Sequence, residues 1–461
     1  MKNSSIAASL IITFLATIFY IPSVMAVDLQ DTLVNAYQNN KQLKAQQSDL
    51  LATQEQIPQA YSGFMPQVVF QGDIKSGDSY NLLTQGLGRG ALYHRDHSRD
   101  FILTQPLFNG GQTIEQVRRA YNSVAAATSS LATVEEQVLI NAISTHMDVV
   151  KANEVVNLSR VNENVLKEQL DSAQQRFKLG EATRTDVSQS EARYARAISD
   201  RTKAEGDLED ALANYKNLTG LDEKMVLDSN GFVKPYVDNV PLPESMEAAM
   251  DKAFKNNPSL VSQVYQEKAS ENDVGIAYGY FSPSVSLRAM SAHETDSYSA
   301  ADIHDNENIL ELDLTIPLYQ GGNEYSRVRQ AKRTRETRKY QIDQRKDQLR
   351  ANITKSWDDI LTTRAVIKSN TTAVHSATTA LEGVKQEQQV GSRTILDVLD
   401  AEQELYQAKI NLASAEHDAV VAVYNLKFYI GELTAKDLAL PVKDFEAERH
   451  LGNTQFKMIG F

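Results

Sequence analysis

The chain has 461 residues, 42% hydrophobic and 23% charged, with a formal net charge of −13. A single core seldom grows beyond about 250–300 residues, so two domains, a repeat architecture or an elongated assembly are the options. The absence of cysteine excludes disulfide scaffolds, Cys-ligated zinc, iron–sulfur clusters, thiol nucleophiles and lipidation on Cys, and the acidic balance makes nucleic acid a poor partner.

Residues 1–26 read as an export signal. Lys2 gives a positive start, Ile6 to Ile21 is almost wholly apolar, and Val24-Met25-Ala26 offers a small-residue cleavage site. The apolar stretch is shorter than the ~20 residues a spanning helix needs. After it, Leu29 to Ser62 reads as a helix of roughly 51 Å at 1.5 Å per residue. A β-hairpin is expected over 64–108, because Val68, Phe70 and Ile74 alternate with polar neighbours and Phe101 shares a face with Leu103. Between Leu107 and Lys234 there is no proline. This stretch, rich in Ala, Leu, Gln, Glu, Lys and Arg, predicts a long helix over 112–178 and a second over 183–219.

The pattern then returns. Ala36-Tyr37-Gln38-Asn39-Asn40 recurs as Ala253-Phe254-Lys255-Asn256-Asn257, and Pro106-Leu107-Phe108-Asn109-Gly110-Gly111 recurs as Pro317-Leu318-Tyr319-Gln320-Gly321-Gly322. From Pro106 onward the offset stays at 211 residues through Gly180/Gly391 and Gly220/Gly431. The chain therefore divides into two structural repeats, 27–243 and 244–461. The second predicts a helix from Glu244 to Tyr278, a β-hairpin over 281–319, a long helix over 323–389 and a helix over 394–430. Ile353, Ile360, Ile367, Val374 and Leu381 fall seven apart, which makes a coiled-coil seam. Leu310, Leu312, Leu314, Ile316 and Leu318 share one strand face, with Glu311, Asp313 and Thr315 on the other. Strands of about ten residues suit a tilted crossing of an outer membrane. Four strands cannot close a barrel, and an open edge in lipid is heavily penalised. Several chains must then share one barrel, two giving eight strands and three giving twelve.

This layout resembles the outer-membrane efflux proteins, the TolC family of channel-tunnels. The carrying residues are Pro106–Gly111, the copy Pro317–Gly322, and Val390-Gly391-Ser392-Arg393-Thr394-Ile395-Leu396-Asp397-Val398-Leu399-Asp400-Ala401. The resemblance implies a mostly α fold with a β-barrel part: a homotrimer with a 12-stranded outer-membrane barrel, continuous with a long α-helical coiled-coil barrel across the periplasm. Segments near 221–243 and 432–461 would form an equatorial belt. It further implies a passive exit duct for type I protein secretion or multidrug efflux. A periplasmic adaptor and an inner-membrane transporter of ABC or RND type would recruit it, and outer-membrane lipid would surround it. The missing N-terminal Cys points to the secretion-and-efflux branch.

By the same resemblance, the turns Leu179-Gly180 and Val390-Gly391 lie at the periplasmic tip and meet the adaptor. Thr185 and Asp186 would bond to Arg393 to hold the tip shut. Asp397 and Asp400 lie three apart on one helix face just past the tip turn, so in a trimer they would form a carboxylate ring at the entrance. Where the family pattern has a tyrosine and a second arginine, this chain has Gln388 and Glu416. The residues alone also allow a local role. Thr183-x-x-Asp186 and Thr394-x-x-Asp397 have the spacing of capping boxes. Arg393 faces Ala182 in the other copy and Asp400 faces Gln189, so the shared fold does not demand either.

Elsewhere, His94, His97, His293 and His304 lack strict ligand spacing and read as solvated loop residues, so no metal site and no cofactor is expected. The basic run from Arg327 to Lys339, broken by Glu336, reads as a solvated helix face, and Trp357 as helix packing. Phe461 ends the chain with an aromatic, as many barrel proteins do. No phosphate loop and no nucleophile–base pair suggests an enzyme. A periplasmic coiled-coil adaptor without a pore would explain the helices and the signal, but not four alternating strands. A porin would explain strands, but not proline-free helices of ~100 Å.

Overall fold

A computed structural model describes residues 28–79, 92–221, 240–298, 301–443, 445 and 452. The expected signal peptide, most of both belt segments and Phe461 lie outside these residues. In chain order the described elements are α1 (Leu29–Asn39), α2 (Lys41–Gln54), α3 (Gln56–Tyr61), β1 (Gln67–Ser79), β2 (Leu92–Asn109), α4 (Gln112–Lys178) and α5 (Arg184–Thr219). The second half follows with α6 (Met246–Asn256), α7 (Pro258–Gly279), β3 (Ser284–Tyr298), β4 (Ala301–Thr315), α8 (Asn323–Gln389) and α9 (Ile395–Ile430).

The first helix of each half is not continuous, unlike the single helices expected over 29–62 and 244–278. In the first half, Asn40 leaves the helical region at ψ 125° and its side chain accepts from the N–H groups of Gln42 and Leu43 to start α2. In the second, Asn257 caps α7 in the same way, and Pro258 follows at the first helical turn. Asparagine competes with the helix for its own backbone donors, and proline removes one of them. The same copied Asn-Asn pair that marked the repeat therefore also breaks both helices.

α4 and α8 are each 67 residues long, ~100 Å at the helical rise. Each starts from a Gly-Gly turn, Gly110-Gly111 and Gly321-Gly322, with φ between 66° and 82°. At Gly110 a Cβ would stand 2.4 Å from the Gly279 carbonyl oxygen, so a side chain is excluded by contact as well as by φ. α4 packs against α5, α7, α9 and α1–α3, while α8 packs against α9, α7 and α6. One core joins α1–α3 to the middle of α4 through Leu33, Leu43, Leu50, Ile57, Leu139 and Ile143. A second joins α6 and α7 to α8 and α9 through Ala249, Leu260, Leu349, Ile353, Leu426 and Ile430. The seven-residue seam on α8 thus starts as core at Ile353 and Ile360 and is buried again at Leu381.

The strands form one antiparallel sheet in the order β1-β2-β3-β4. Pro106, which has no N–H to give, coincides with a register shift between Pro106 and Phe108. One face aligns Val68, Leu103, Ala289 and Leu310, then Phe70, Phe101, Ser291 and Asn308. Leu310, Leu312 and Leu314 on this face are exposed, and Phe70 lies 4.9 Å from Phe101 between ring centroids. Among the described residues nothing covers this apolar face, and no helix is long and apolar enough to cross a membrane. A sheet with an uncovered apolar face is the element suited to lipid.

Candidate functional site

Each α4–α5 and α8–α9 hairpin turns at the end of the helical rod remote from the sheet. α4 stops where Gly180 takes φ 77°, which lets its N–H reach the Phe177 carbonyl (3.0 Å) and that of Glu181 reach Arg176 (2.8 Å). The other hairpin repeats this with Gly391 at φ 80°, its N–H on Gln388 (3.1 Å) and that of Ser392 on Glu387 (2.9 Å). These bonds satisfy the last helical carbonyls, a left-handed C-terminal cap. The residues just before the glycines project outward, Leu179 at 74% exposure and Val390 at 81%.

Two reciprocal capping boxes restart the chain. The Asp186 N–H donates to Thr183 Oγ1 (3.2 Å) while the Thr183 N–H donates to Asp186 Oδ2 (2.8 Å). Thr394 and Asp397 show the same pair, at 3.2 and 2.8 Å. Bonds from the Thr394 hydroxyl and backbone hold the Asp397 carboxyl below the usual range, with Arg393 adding to the effect. Asp397 therefore stays anionic and is also tied to the cap.

Arg393 and Asp400 are each partnered. Arg393 Nε donates to Glu387 Oε2 (2.8 Å) across the turn of its own hairpin, which raises the guanidinium pKa further. Asp400 accepts from Arg193 Nη2 at 2.6 Å, and this bond joins the two hairpins, α9 to α5. Just above it, Glu402 is buried with Lys385 Nζ 3.0 Å away, close but not aligned as a hydrogen bond. Burial pushes the Glu402 carboxyl up despite that lysine. Leu166, Ala197 and Leu399 pack between the hairpins here, and the Tyr406 hydroxyl meets Ser159 Oγ at 2.8 Å.

Within one chain the structure does not bring Thr185 to Arg393. Thr185 is exposed on the first turn of α5, and Arg393 bonds Glu387. Asp186 is a cap, and the bond between hairpins runs through Arg193, which the sequence reading missed. A signal existed: Arg193 faces Glu404 in the other repeat, the same kind of copy difference that marked Arg393 and Asp400. Among the described residues no cluster of His, Asp or Glu has the arrangement of a metal site.

The model of the outer membrane efflux protein family matches residues 32–221 and 249–432. The outer membrane efflux protein BepC of Brucella suis is 31% identical over 434 residues, covering 94% of this chain and 91% of BepC. The chain belongs to the outer membrane efflux protein family. The alkaline protease secretion protein AprF of Pseudomonas aeruginosa is 24% identical over 430 residues, 91% of this chain and 88% of AprF. The Campylobacter jejuni CmeC outer membrane channel superposes with a TM-score of 0.76 at 16% identity, covering 94% of this chain and 90% of that one. This efflux protein is thus an outer-membrane channel with its sheet in the membrane and its helical rod in the periplasm.

Two charged sites of the efflux protein lie along the rod, away from the tip. His417 on α9 has Nε2 3.0 Å from Asp148 on α4 and Nδ1 2.9 Å from Asp418, with Lys151 3.8 Å from Asp148. Burial pushes the imidazole down, but the two carboxylates outweigh it and its pKa is raised. Glu136 on α4 is 1% exposed and its Oε1 accepts from the Leu433 N–H at 3.4 Å, while Glu135 accepts from Ala435 at 2.7 Å. Burial, with Asp437 and Glu135 nearby, pushes the Glu136 carboxyl up to about 8.

Proposed function

We propose that three copies of this chain close one twelve-stranded barrel in the outer membrane and one helical tunnel beneath it, a passive duct for efflux or type I secretion. The observation that carries this reading is the four-stranded sheet, apolar on one face and unpaired at β1 and β4 among the described residues. Backbone groups at those two edges need partners in lipid, and a neighbouring copy supplies them. The two repeats, 27–243 and 244–461, then each contribute one hairpin to the barrel and one set of helices to the tunnel. The duct itself performs no catalysis. An inner-membrane transporter and a periplasmic adaptor complete the path, and the adaptor meets the exposed turns at Leu179-Gly180 and Val390-Gly391. AprF, named for protease secretion, and BepC, named for efflux, support both classes of cargo.

The gate is the tip. Arg193–Asp400 ties the two hairpins of one chain together, and Thr185, Asp186 and Arg393 hold contacts to the neighbouring copies. Asp397 and Asp400 ring the entrance with carboxylates that make it prefer cations and bind multivalent cations. Arg193 offsets part of that ring by neutralising Asp400. Planar-bilayer recording of the purified protein tests this, with native mass spectrometry to establish the trimer. Arg193→Gln is expected to raise conductance and strengthen block by a trivalent cation from the periplasmic side, because it frees Asp400 and removes a solvent-screened ion pair worth up to about 1 kcal/mol. A trimeric variant with unaltered conductance and block refutes the gate, and a stable monomer in detergent refutes the shared barrel.

A further inference from the structure

Charge is divided between the two faces of the sheet. Above the Phe70–Phe101 row, the apolar face continues with Gly72, Arg99, His293 and Asn306, then Ile74, His97, Thr295 and His304, then Ser76, Arg95, Ser297 and Asp302. The described carboxylates at these heights point the other way: Asp73, Asp100, Glu294, Asp305 and Glu307 occupy the alternate positions and face the lumen side. In register, Asp302 pairs with Ser297 in the Arg95 row at the loop end.

The height of this basic zone follows from strand geometry. From Leu314, one residue before the end of β4, to the Phe70–Phe101 row is six residues, about 20 Å along the strand and about 16 Å across a bilayer at a tilt near 40°, and the exposed Ile316, Leu318 and Tyr319 carry the apolar band on past the end of the strand. Those residues make up the rest of the hydrocarbon band of an outer-membrane barrel, about 25 Å in all, which an aromatic row closes. Arg99 and Arg95 therefore stand just beyond the hydrocarbon, at the level of the outer-leaflet headgroups. Both are exposed, and among the described residues neither has an ion pair. Arg99 neighbours His293 in register, and the His293 and His304 rings stack 6.5 Å apart between centroids. The imidazoles are held in place, His293 Nδ1 by the Asn306 amide oxygen and His304 Nδ1 by the Thr295 hydroxyl, and the two guanidiniums beside them suit phosphate, to which arginine bonds bidentately.

We propose that this outward patch binds the phosphorylated headgroup of an outer-leaflet glycolipid. Arg95 and Arg99 lie four residues apart on β2, about 14 Å at the strand rise, too far to grip one phosphate together. The spacing fits a headgroup whose two phosphates are separated by a disaccharide. The inference rests on the membrane placement of the sheet and not on the gate.

Native mass spectrometry of the detergent-solubilised full chain tests it, with bisphosphoryl lipid A, its monophosphoryl form and phosphatidylcholine as probes. The parent protein is expected to retain the bisphosphoryl lipid about tenfold better than phosphatidylcholine, with the monophosphoryl form between them. Arg95→Gln combined with Arg99→Gln should lower retention to the phosphatidylcholine level. Arg288→Gln, on the lumen face of β3, should leave it unchanged. Retention that ignores phosphate number overturns the proposal, as does an equal loss in Arg288→Gln. Conductance in planar bilayers is measured on the same samples. A double variant that binds no lipid but conducts like the parent supports the patch. A double variant that fails to insert overturns the outward placement of the two arginines.

Discussion

The docking of the segment after α9 onto α4 should weaken as pH rises. Glu136 is buried beneath Leu433, and its carboxyl sits at about 8 against an ordinary 4.5. Because the docked state raises this pKa, its stabilisation is fully present below about 4.5 and is lost as pH climbs through 8. The shift of about 3.5 units corresponds, at 1.36 kcal/mol per unit, to about 5 kcal/mol across that window. Glu136→Gln keeps the shape and cannot ionise, so its docking should not change with pH. The assay is hydrogen exchange at the amides of Leu433 and Ala435, expressed as the rate in the parent divided by the rate in Glu136→Gln at each pH, which cancels intrinsic base catalysis. The ratio should climb toward tenfold per pH unit between pH 5 and 8 and level off above. A ratio that stays flat from pH 5 to 9 means that Glu136 is solvated or ionised in place, and refutes the reasoning.

Other perturbations probe the membrane face and the shaft. Leu312→Arg, on the exposed apolar face of β4, should destabilise the barrel in lipid by roughly 2–4 kcal/mol, read as a lower denaturant midpoint in vesicles; an unmoved midpoint puts Leu312 outside the hydrocarbon. His417, with its pKa raised by Asp148 and Asp418, should clamp α9 to α4 more firmly in acid and release it as pH rises through its folded-state pKa. Melting temperature should therefore fall as pH rises above the ordinary imidazole pKa of 6.5 in the parent but not in His417→Gln, by the equivalent of about 1 kcal/mol because Asp148 is half-exposed; parallel pH profiles would refute the clamp.

The fold was legible because its signals are long and repeated. Proline-free runs of good helix formers, period-two alternation and two copies at constant offset each constrain many residues at once. The helix breaks at Asn40 and Asn257 were less legible, since an asparagine cap inside a helical pattern is a local event that changes no periodicity. The tip was legible only in part. Thr183–Asp186 and Thr394–Asp397 are contacts three residues apart, so spacing alone gives them. Arg193–Asp400 spans 207 residues and depends on how far one hairpin slides along the other, which a sequence does not state. Glu136 adjoins a second carboxylate, Glu135, a pairing usual on a solvated face. Yet it lies three, four and seven residues before Leu139, Ile140 and Ile143, on the buried stripe of α4, and helical spacing alone would have flagged it.

The equal lengths of the helices restrict how this molecule can change size. α4 and α8 have 67 residues each, and α5 and α9 have 36 each. A single residue added to α4 would turn every side chain beyond it by about 100° and lift its tip turn out of line with that of the other hairpin. Seven residues restore the facing of the seam, but only if the partner helix and both members of the other hairpin gain seven as well. The reach of the shaft is therefore quantised in steps of about 10.5 Å. A lineage whose cell envelope deepens must make four matched insertions, or leave the duct as it is and bridge the gap with another protein.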